Sequence, residues 1–270
     1  MKKVALVTGA SSGIGADTAI RLQQAGYEVY GAARRMDRME GLKSKGIRIL
    51  PLDVRDNESM ENCVKEILKR SKRIDVLVNN AGYGSYGALE DVPVAEARRQ
   101  MEVCVFGLAR MTQLVLPQMR KQQSGKIVNI SSVGGKIGEP HGSWYHAAKF
   151  AVEGMSDSIR MELKQFGIDV ILIEPGAIKT EWSGIAQENM IKVSGHTAYG
   201  NLARKHANML ARFEGRGSDP SVISNTIVKA VNARKPKTRY CIGTGGPMML
   251  NLRRLLSDRM FDNMMLSQMK

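Results

Sequence analysis

Val4-Ala5-Leu6-Val7-Thr8-Gly9-Ala10-Ser11-Ser12-Gly13-Ile14-Gly15 opens the chain after a short basic start. An aliphatic run of this length reads as a buried strand, and the apolar spacing after Ile14 reads as a helix. Between them the glycines permit a tight turn and a close backbone approach to a ligand. The helix start supplies unpaired N–H groups and the positive end of a dipole. The spacing Gly-x-x-x-Gly-x-Gly is one residue longer than the common dinucleotide fingerprint. In a strand–turn–helix setting it predicts a pyrophosphate-binding loop made of Gly9, Ser11, Ser12, Gly13, Ile14 and Gly15.

Outward from this loop, short aliphatic runs alternate with longer helical patterns. Strands are expected at residues 3–7, 28–32, 47–52, 74–78, 125–130, 168–173 and 239–242, and helices near 14–25, 57–71, 93–119, 143–166 and 221–233. Gly26, Gly46 and Gly167 stand between helix and strand, where a helix end favours glycine. Continuous apolar strands alternating with helices predict an α/β fold, a doubly wound parallel sheet of about seven strands covered on both faces. No linker or repeat divides the chain, so residues 1–270 read as one domain. The alternation weakens over 181–216, which predicts a small helical insertion or a mobile lid at the carboxyl ends of the strands, where such sheets bind ligands.

Composition narrows the function. The chain has 270 residues, 43% hydrophobic and 24% charged, as a soluble globular protein does. The net charge of +14 raises nucleic acid as a partner, but the basic residues are scattered through core-patterned segments without interleaved aromatics, so none is expected. Three separated cysteines and four histidines without ligand spacing predict neither disulfides nor a metal site. No apolar run is long enough for a signal peptide or a membrane span, which makes a reducing cytoplasm the expected location.

Two further patterns carry chemistry. After the second strand come Arg34 and Arg35, with no acid until Asp37. An acid there would bind the ribose hydroxyls of NAD, whereas arginine accommodates a 2′-phosphate, so NADP(H) is expected to be preferred, with NAD(H) open. Further on, Tyr145 and Lys149 stand four apart in a helical pattern, and Ser132 thirteen residues before the tyrosine. Residues four apart share a helix face, and an ammonium beside a phenol favours its ionised form. Such a pair suits a general acid and base for a carbonyl oxygen.

Together these residues resemble the short-chain dehydrogenase/reductase family in its single-domain form, over about two-thirds of the chain. Thr8 to Gly15 matches the glycine loop, Asp53 and Val54 the adenine contact, and Asn79-Asn80-Ala81-Gly82 the motif after the fourth strand. Pro175, Gly176, Ile178 and Thr180 match the segment that holds the nicotinamide carboxamide. The resemblance implies hydride transfer between nicotinamide and a carbonyl or alcohol. Tyr145 would be the acid and base, Lys149 would lower its pKa and bind the ribose, and Ser132, rather than its neighbour Ser131, would orient the substrate oxygen. It further implies a homodimer or homotetramer built on the helices at 93–119 and 143–166. The surroundings of Ser132 and Tyr145 look closest to the hydroxysteroid and retinol dehydrogenase branch.

The sequence departs from the pattern at Cys104, where the family usually has an asparagine that completes a proton relay. A thiol is a weaker donor and acceptor. A catalytically weak NADP-binding scaffold is therefore the alternative to an active enzyme. A hydrophobic carbonyl or alcohol (steroid-, retinoid- or acyl-like) is the expected substrate, against a pocket drawing on Tyr83 to Tyr86, Gly134 to Trp144 and the insertion, including Trp182, Met190, Tyr199, Met209 and Phe213. The basic, amphipathic stretch 247–270 has four readings: packing on the domain, covering the pocket, meeting a second subunit, or touching an anionic membrane.

Overall fold

The computed structural model describes residues 2–269 and, among them, every side chain but those of Phe213 and Glu214. Phe213, expected at the pocket, therefore lies outside the described side chains.

The chain alternates strand and helix from its start. It runs β1 (Val4–Thr8), α1 (Gly13–Gln24), β2 (Glu28–Ala33), a short α2 (Glu40–Lys43), β3 (Arg48–Pro51), α3 (Asn57–Ser71) and β4 (Val76–Asn79). Then follow α4 (Val94–Met101), a π-helical turn (Glu102–Phe106), α5 (Gly107–Gln122), β5 (Gly125–Ile130), α6 (Ser143–Leu163) and β6 (Ile168–Pro175). The rest is α7 (Glu181–Ser194), α8 (Gly200–Glu214), α9 (Pro220–Asn232), β7 (Arg239–Ile242), α10 (Gly246–Leu255) and α11 (Asp258–Ser267).

The strands form one seven-stranded sheet in the order β3-β2-β1-β4-β5-β6-β7. Every pairing is parallel. All five residues of β1 are buried, as a strand covered on both faces requires. On one face Ala19 and Leu22 of α1 and Ile223, Ile227 and Val231 of α9 pack on Ala5, Val7 and Val128. On the other, Val64 and Ile67 of α3 and Met111 and Val115 of α5 pack on Leu6, Leu77 and Ile127. The chain runs outward in opposite directions from β1 and β4, so the loops after these two strands diverge and leave a crevice.

One difference from the sequence expectation has a local cause, and two open expectations take definite form. The helix expected at 93–119 is broken by the π turn around Cys104, a one-residue irregularity without signature in the apolar spacing. The insertion takes its helical form. Thr180 caps α7 by accepting from the Trp182 N–H, and Tyr86, Ala186, Met190, Ala203 and Ala207 form a small core of their own. The amphipathic tail is two helices, and Phe261 and Met265 of α11 pack on Ile137, in the loop between β5 and α6.

Candidate active site

The loops at the carboxyl ends of the strands enclose one cleft of about 880 Å³. It is lined by Gly9, Ser11, Ser12, Gly13 and Ile14, by Arg34 and Arg35, by Asp53 and Val54, by Asn80, Ala81 and Gly82, by Ser132, Tyr145 and Lys149, and by Pro175, Gly176, Ile178 and Thr180. Of the residues expected to react or to hold the cofactor, Gly15 alone is not on its wall. A Cβ there would fall 2.4 Å from the Gly9 carbonyl oxygen, so this glycine lets α1 close against the turn before it.

The first helix is prepared for an anion. Asp56 caps α3 and Asp219 caps α9, but Ser12 at the start of α1 makes no capping bond, and the first turn carries no acid. Its N–H groups and dipole are left to the cleft. Gly13 holds a left-handed φ of +54° there. Arg35 closes over the loop, donating from Nη2 to Ser11 Oγ at 3.2 Å and Ser12 Oγ at 3.3 Å. Asp53 is held below the usual carboxylate range, chiefly by its hydrogen bonds from Arg55. Asn80 stitches the loop to β4, its amide donating to the Thr8 carbonyl at 3.0 Å and the Gly9 carbonyl at 3.2 Å.

At the other end, Tyr145 and Lys149 share one face of α6, and Ser132 stands just past β5. Tyr145 and Ser132 both line the cleft, and Ser132 acts to lower the phenol's pKa. Ser132 Oγ accepts from the Gly134 N–H at 3.0 Å, which fixes its position. The Lys149 ammonium lies 5.9 Å from the Tyr145 ring centre and donates to the Ile130 carbonyl at 2.9 Å. Ser131 is buried behind the strand end with its hydroxyl unpaired among the described residues.

Burial dominates the electrostatics of this pair. Burial pushes the Tyr145 phenol well above its ordinary range, and the Ser132 hydrogen bond only partly offsets this. Burial also pushes the Lys149 ammonium down. Burial is the chief cause of both shifts.

Cys104 is 1% exposed, inside the π turn, and its Sγ accepts from Gln100 Nε2 at 3.0 Å. The same amide donates to the Tyr83 carbonyl at 2.7 Å, so the thiol is one member of a satisfied buried network. Trp182, Tyr83 and Tyr86 line the apolar end of the cleft, as do Ile185, Val193 and Leu210. Trp144 and Tyr199 stand off its wall, while Met190 and Met209 are buried in the packing beneath the insertion.

Sequence reasoning treated the four histidines as ordinary. The structure gathers three of them, His141, His146 and His206, around Glu139 beside Tyr86. His206 arrives from α8, a juxtaposition with no local signal. The run Glu139-Pro140-His141, close behind Ser132, was the only hint.

The family model described as short chain dehydrogenase matches residues 3–190. The chain belongs to the short-chain dehydrogenase family. It is thereby an NAD(P)-dependent oxidoreductase. Among relatives of this short-chain dehydrogenase is the 3-ketodihydrosphingosine reductase of Bacteroides thetaiotaomicron, 37% identical over 89% of this chain and 88% of that one. The NADPH-dependent 3-dehydrocapnine reductase of Ornithobacterium rhinotracheale is 33% identical over 99% of this chain and 98% of that one. A short-chain dehydrogenase from Streptomyces avermitilis superposes with a TM-score of 0.82 at 34% identity, covering 93% and 92% of the two chains. Among the described residues no helix is long and apolar enough to cross a membrane.

Proposed function

We propose that this short-chain dehydrogenase is an NADP(H)-preferring carbonyl reductase, equally an alcohol dehydrogenase in reverse, with NAD(H) the weaker cofactor. One observation carries the reading. A single cleft joins the uncapped start of α1 and the Arg34–Arg35 pair to Ser132, Tyr145 and Lys149. The residues fit a dinucleotide phosphate: the helix start takes the pyrophosphate, and Arg35, with Arg34 beside it, takes the 2′-phosphate. The relative named as NADPH-dependent supports the same preference.

When bound, the nicotinamide supplies or accepts the hydride. The protein does the rest. Ser132 and Tyr145 hold the substrate oxygen between two hydroxyl donors. In reduction Tyr145 passes its proton to that oxygen as negative charge develops on it, and in oxidation it takes the proton back. Lys149 keeps a positive charge behind the phenol and holds the ribose hydroxyls. Trp182, Tyr86, Ile185 and Leu210 exclude water and favour a substrate with an apolar body. The reductase names of the relatives support a ketone as its reacting group.

Purified protein with NADPH or NADH and a panel of apolar ketones tests this reading. Expected are NADPH consumption and tighter binding of NADPH. Tighter NADH binding would sink the arginine argument. NADPH binding without any turnover would favour a weak scaffold, the alternative raised by Cys104. We further infer one domain over 1–270, with 181–216 as its substrate-side insertion and 247–270 as an extension, working in the cytoplasm as a homodimer or homotetramer. Exposed Val94, Phe106, Phe150 and Met161 on α4, the π turn and α6 support an interface there, which light scattering of the purified protein checks.

A further inference from the structure

Glu139 lies on the cleft wall, in the loop that Ser132 begins. Its Oε1 accepts from the Tyr86 hydroxyl at 2.6 Å. The Tyr86 ring packs on Tyr145, with centroids 5.7 Å apart, so the carboxylate stands one aromatic ring away from the reacting phenol. Two histidine nitrogens face it, His146 Nε2 at 3.8 Å from Oε1 and His206 Nε2 at 3.9 Å from Oε2. Both distances are too long for a hydrogen bond. Both nitrogens belong to buried rings and are without a hydrogen-bond partner among the described residues.

The direction of the bonds defines what this corner lacks. His146 Nδ1 is 2.9 Å from the Gly134 carbonyl, which can only accept, so Nδ1 carries the proton. Nε2 then faces the carboxylate across a gap too wide for a hydrogen bond, and the Tyr86 hydroxyl is the one hydrogen-bond donor Glu139 has among the described residues. Among the described residues no lysine or arginine forms an ion pair with Glu139; Arg253, nearby in the tail, pairs with Asp258 at 2.7 Å. Nor do the described residues offer a group arranged to hold a metal ion. The missing partner is a cation rich in donors and free of acceptors. A hydroxyl would bring one donor and no charge, whereas a primary ammonium brings three donors and the charge.

We propose that Glu139, with His146 Nε2 beside it, binds a protonated amine on the substrate close to the reacting carbon, which makes the substrate class apolar-chained amino ketones and amino alcohols. The proposal rests on the reading of Ser132 and Tyr145 as the reaction centre. With the oxygen between those two hydroxyls, a neighbouring ammonium reaches toward Glu139. The alkyl chain is left to the wall of Ile185, Val193 and Leu210. An apolar cleft alone would accept any ketone of suitable size. The carboxylate adds selectivity, because an uncharged substrate leaves its charge uncompensated.

The test runs in the oxidative direction, where the probes are chemically stable. The full-length protein is given NADP⁺ with 1-aminodecan-2-ol, its N-acetyl derivative or decan-2-ol, at a pH where the free amine is protonated. Expected is a kcat/KM for the amine about tenfold or more above both neutral probes, the range of a charge-assisted hydrogen bond. In Glu139→Gln this ratio should collapse toward one, and decan-2-ol oxidation by the same variant reports that it has folded. Equal kcat/KM for all three probes in the unmodified protein overturns the proposal without reference to any variant. So does an amine preference that survives Glu139→Gln, and that result would fit a Glu139–imidazolium pair closed to ligands. Oxidation of none of the three would instead strike at the reaction centre itself, and the amine site would fall with it.

Discussion

Replacing Arg35 with alanine should separate the two nicotinamide cofactors. Its guanidinium is aimed at the phosphate loop by the Ser11 and Ser12 hydroxyls, at 3.2 and 3.3 Å, and its side chain is 45% exposed. A pair of unit charges 4 Å apart is worth about 1 kcal/mol in water and about 4 kcal/mol at a protein surface. Half-exposure places Arg35 between these limits, at about 2 kcal/mol, which corresponds to roughly a 30-fold change in affinity. Arg35→Ala should therefore raise the KM for NADPH roughly 30-fold and that for NADH less than about threefold. Initial rates with each cofactor at saturating carbonyl substrate measure both. The effect should shrink with added salt, since the site is open to solvent. Glu181 supplies a check of opposite sign. Its carboxylate lies 3.9 Å from Arg35 and 3.0 Å from Arg38, where it competes with a phosphate for the same guanidinium groups. Glu181→Gln should lower the NADPH KM a few-fold and leave NADH nearly unmoved. An equal loss for NADH and NADPH in Arg35→Ala would refute the reasoning, because Arg35 would then shape the loop rather than read the 2′-phosphate.

Tyr145→Phe should reduce kcat by about 10²- to 10⁴-fold while NADPH fluorescence titrations show binding retained; a variant with near-normal turnover would exclude the phenol as acid. Because burial raises the Tyr145 phenol, the acid form persists as pH rises, so the reduction rate should hold through neutrality and fall only on the far alkaline side, read from a pH–kcat profile. Burial, with His206 beside it, pushes His141 down to about 4, and burial lowers His206 as well, so both stay neutral in the native state. The unfolded chain takes up these protons first as pH drops below about 6.5, so this stability is present above that pH and is lost toward pH 4. The His141 share is on the order of 3 kcal/mol, visible as a drop in urea midpoint between pH 7 and pH 4.5. His141→Asn, which tolerates the left-handed φ of 62°, should flatten that drop. Burial raises the Cys63 thiol to about 12 and the Cys241 thiol to about 11, so a disulfide reagent at pH 8 should label both slowly in native protein and rapidly in urea.

Most of the cofactor half was legible in the sequence, because its chemistry is local. A glycine loop, a pair of arginines after a strand and the Asn80 turn each lie within one strand–loop unit, and the parallel sheet brings those units to one edge. The strand at residues 125–130 and the helix at 57–71 match the structure residue for residue, since apolar spacing alone decides them. What escaped depends on distant contacts. The π turn at Cys104 is set by a single extra residue within a helix. Tyr199 stays outside the cleft because of how α7 and α8 pack on each other, and no periodicity encodes that. Burial around Tyr145 escaped for a related reason: spacing shows the ammonium nearby, but only the fold shows how completely the phenol is removed from water.

The tail has a consequence for how selectivity is inherited. Phe261 and Met265 buttress Ile137, two residues before Glu139, and Ile137 itself lines the cleft. The lining of the substrate end is thus supported by the last stretch of the chain, while the cofactor loop is anchored by the first. Substitutions in α11 can shift the loop that carries Glu139 without altering Ser132, Tyr145, Lys149 or the glycine turn. Selection can therefore exchange one substrate for another through the tail, leaving the hydride chemistry unchanged.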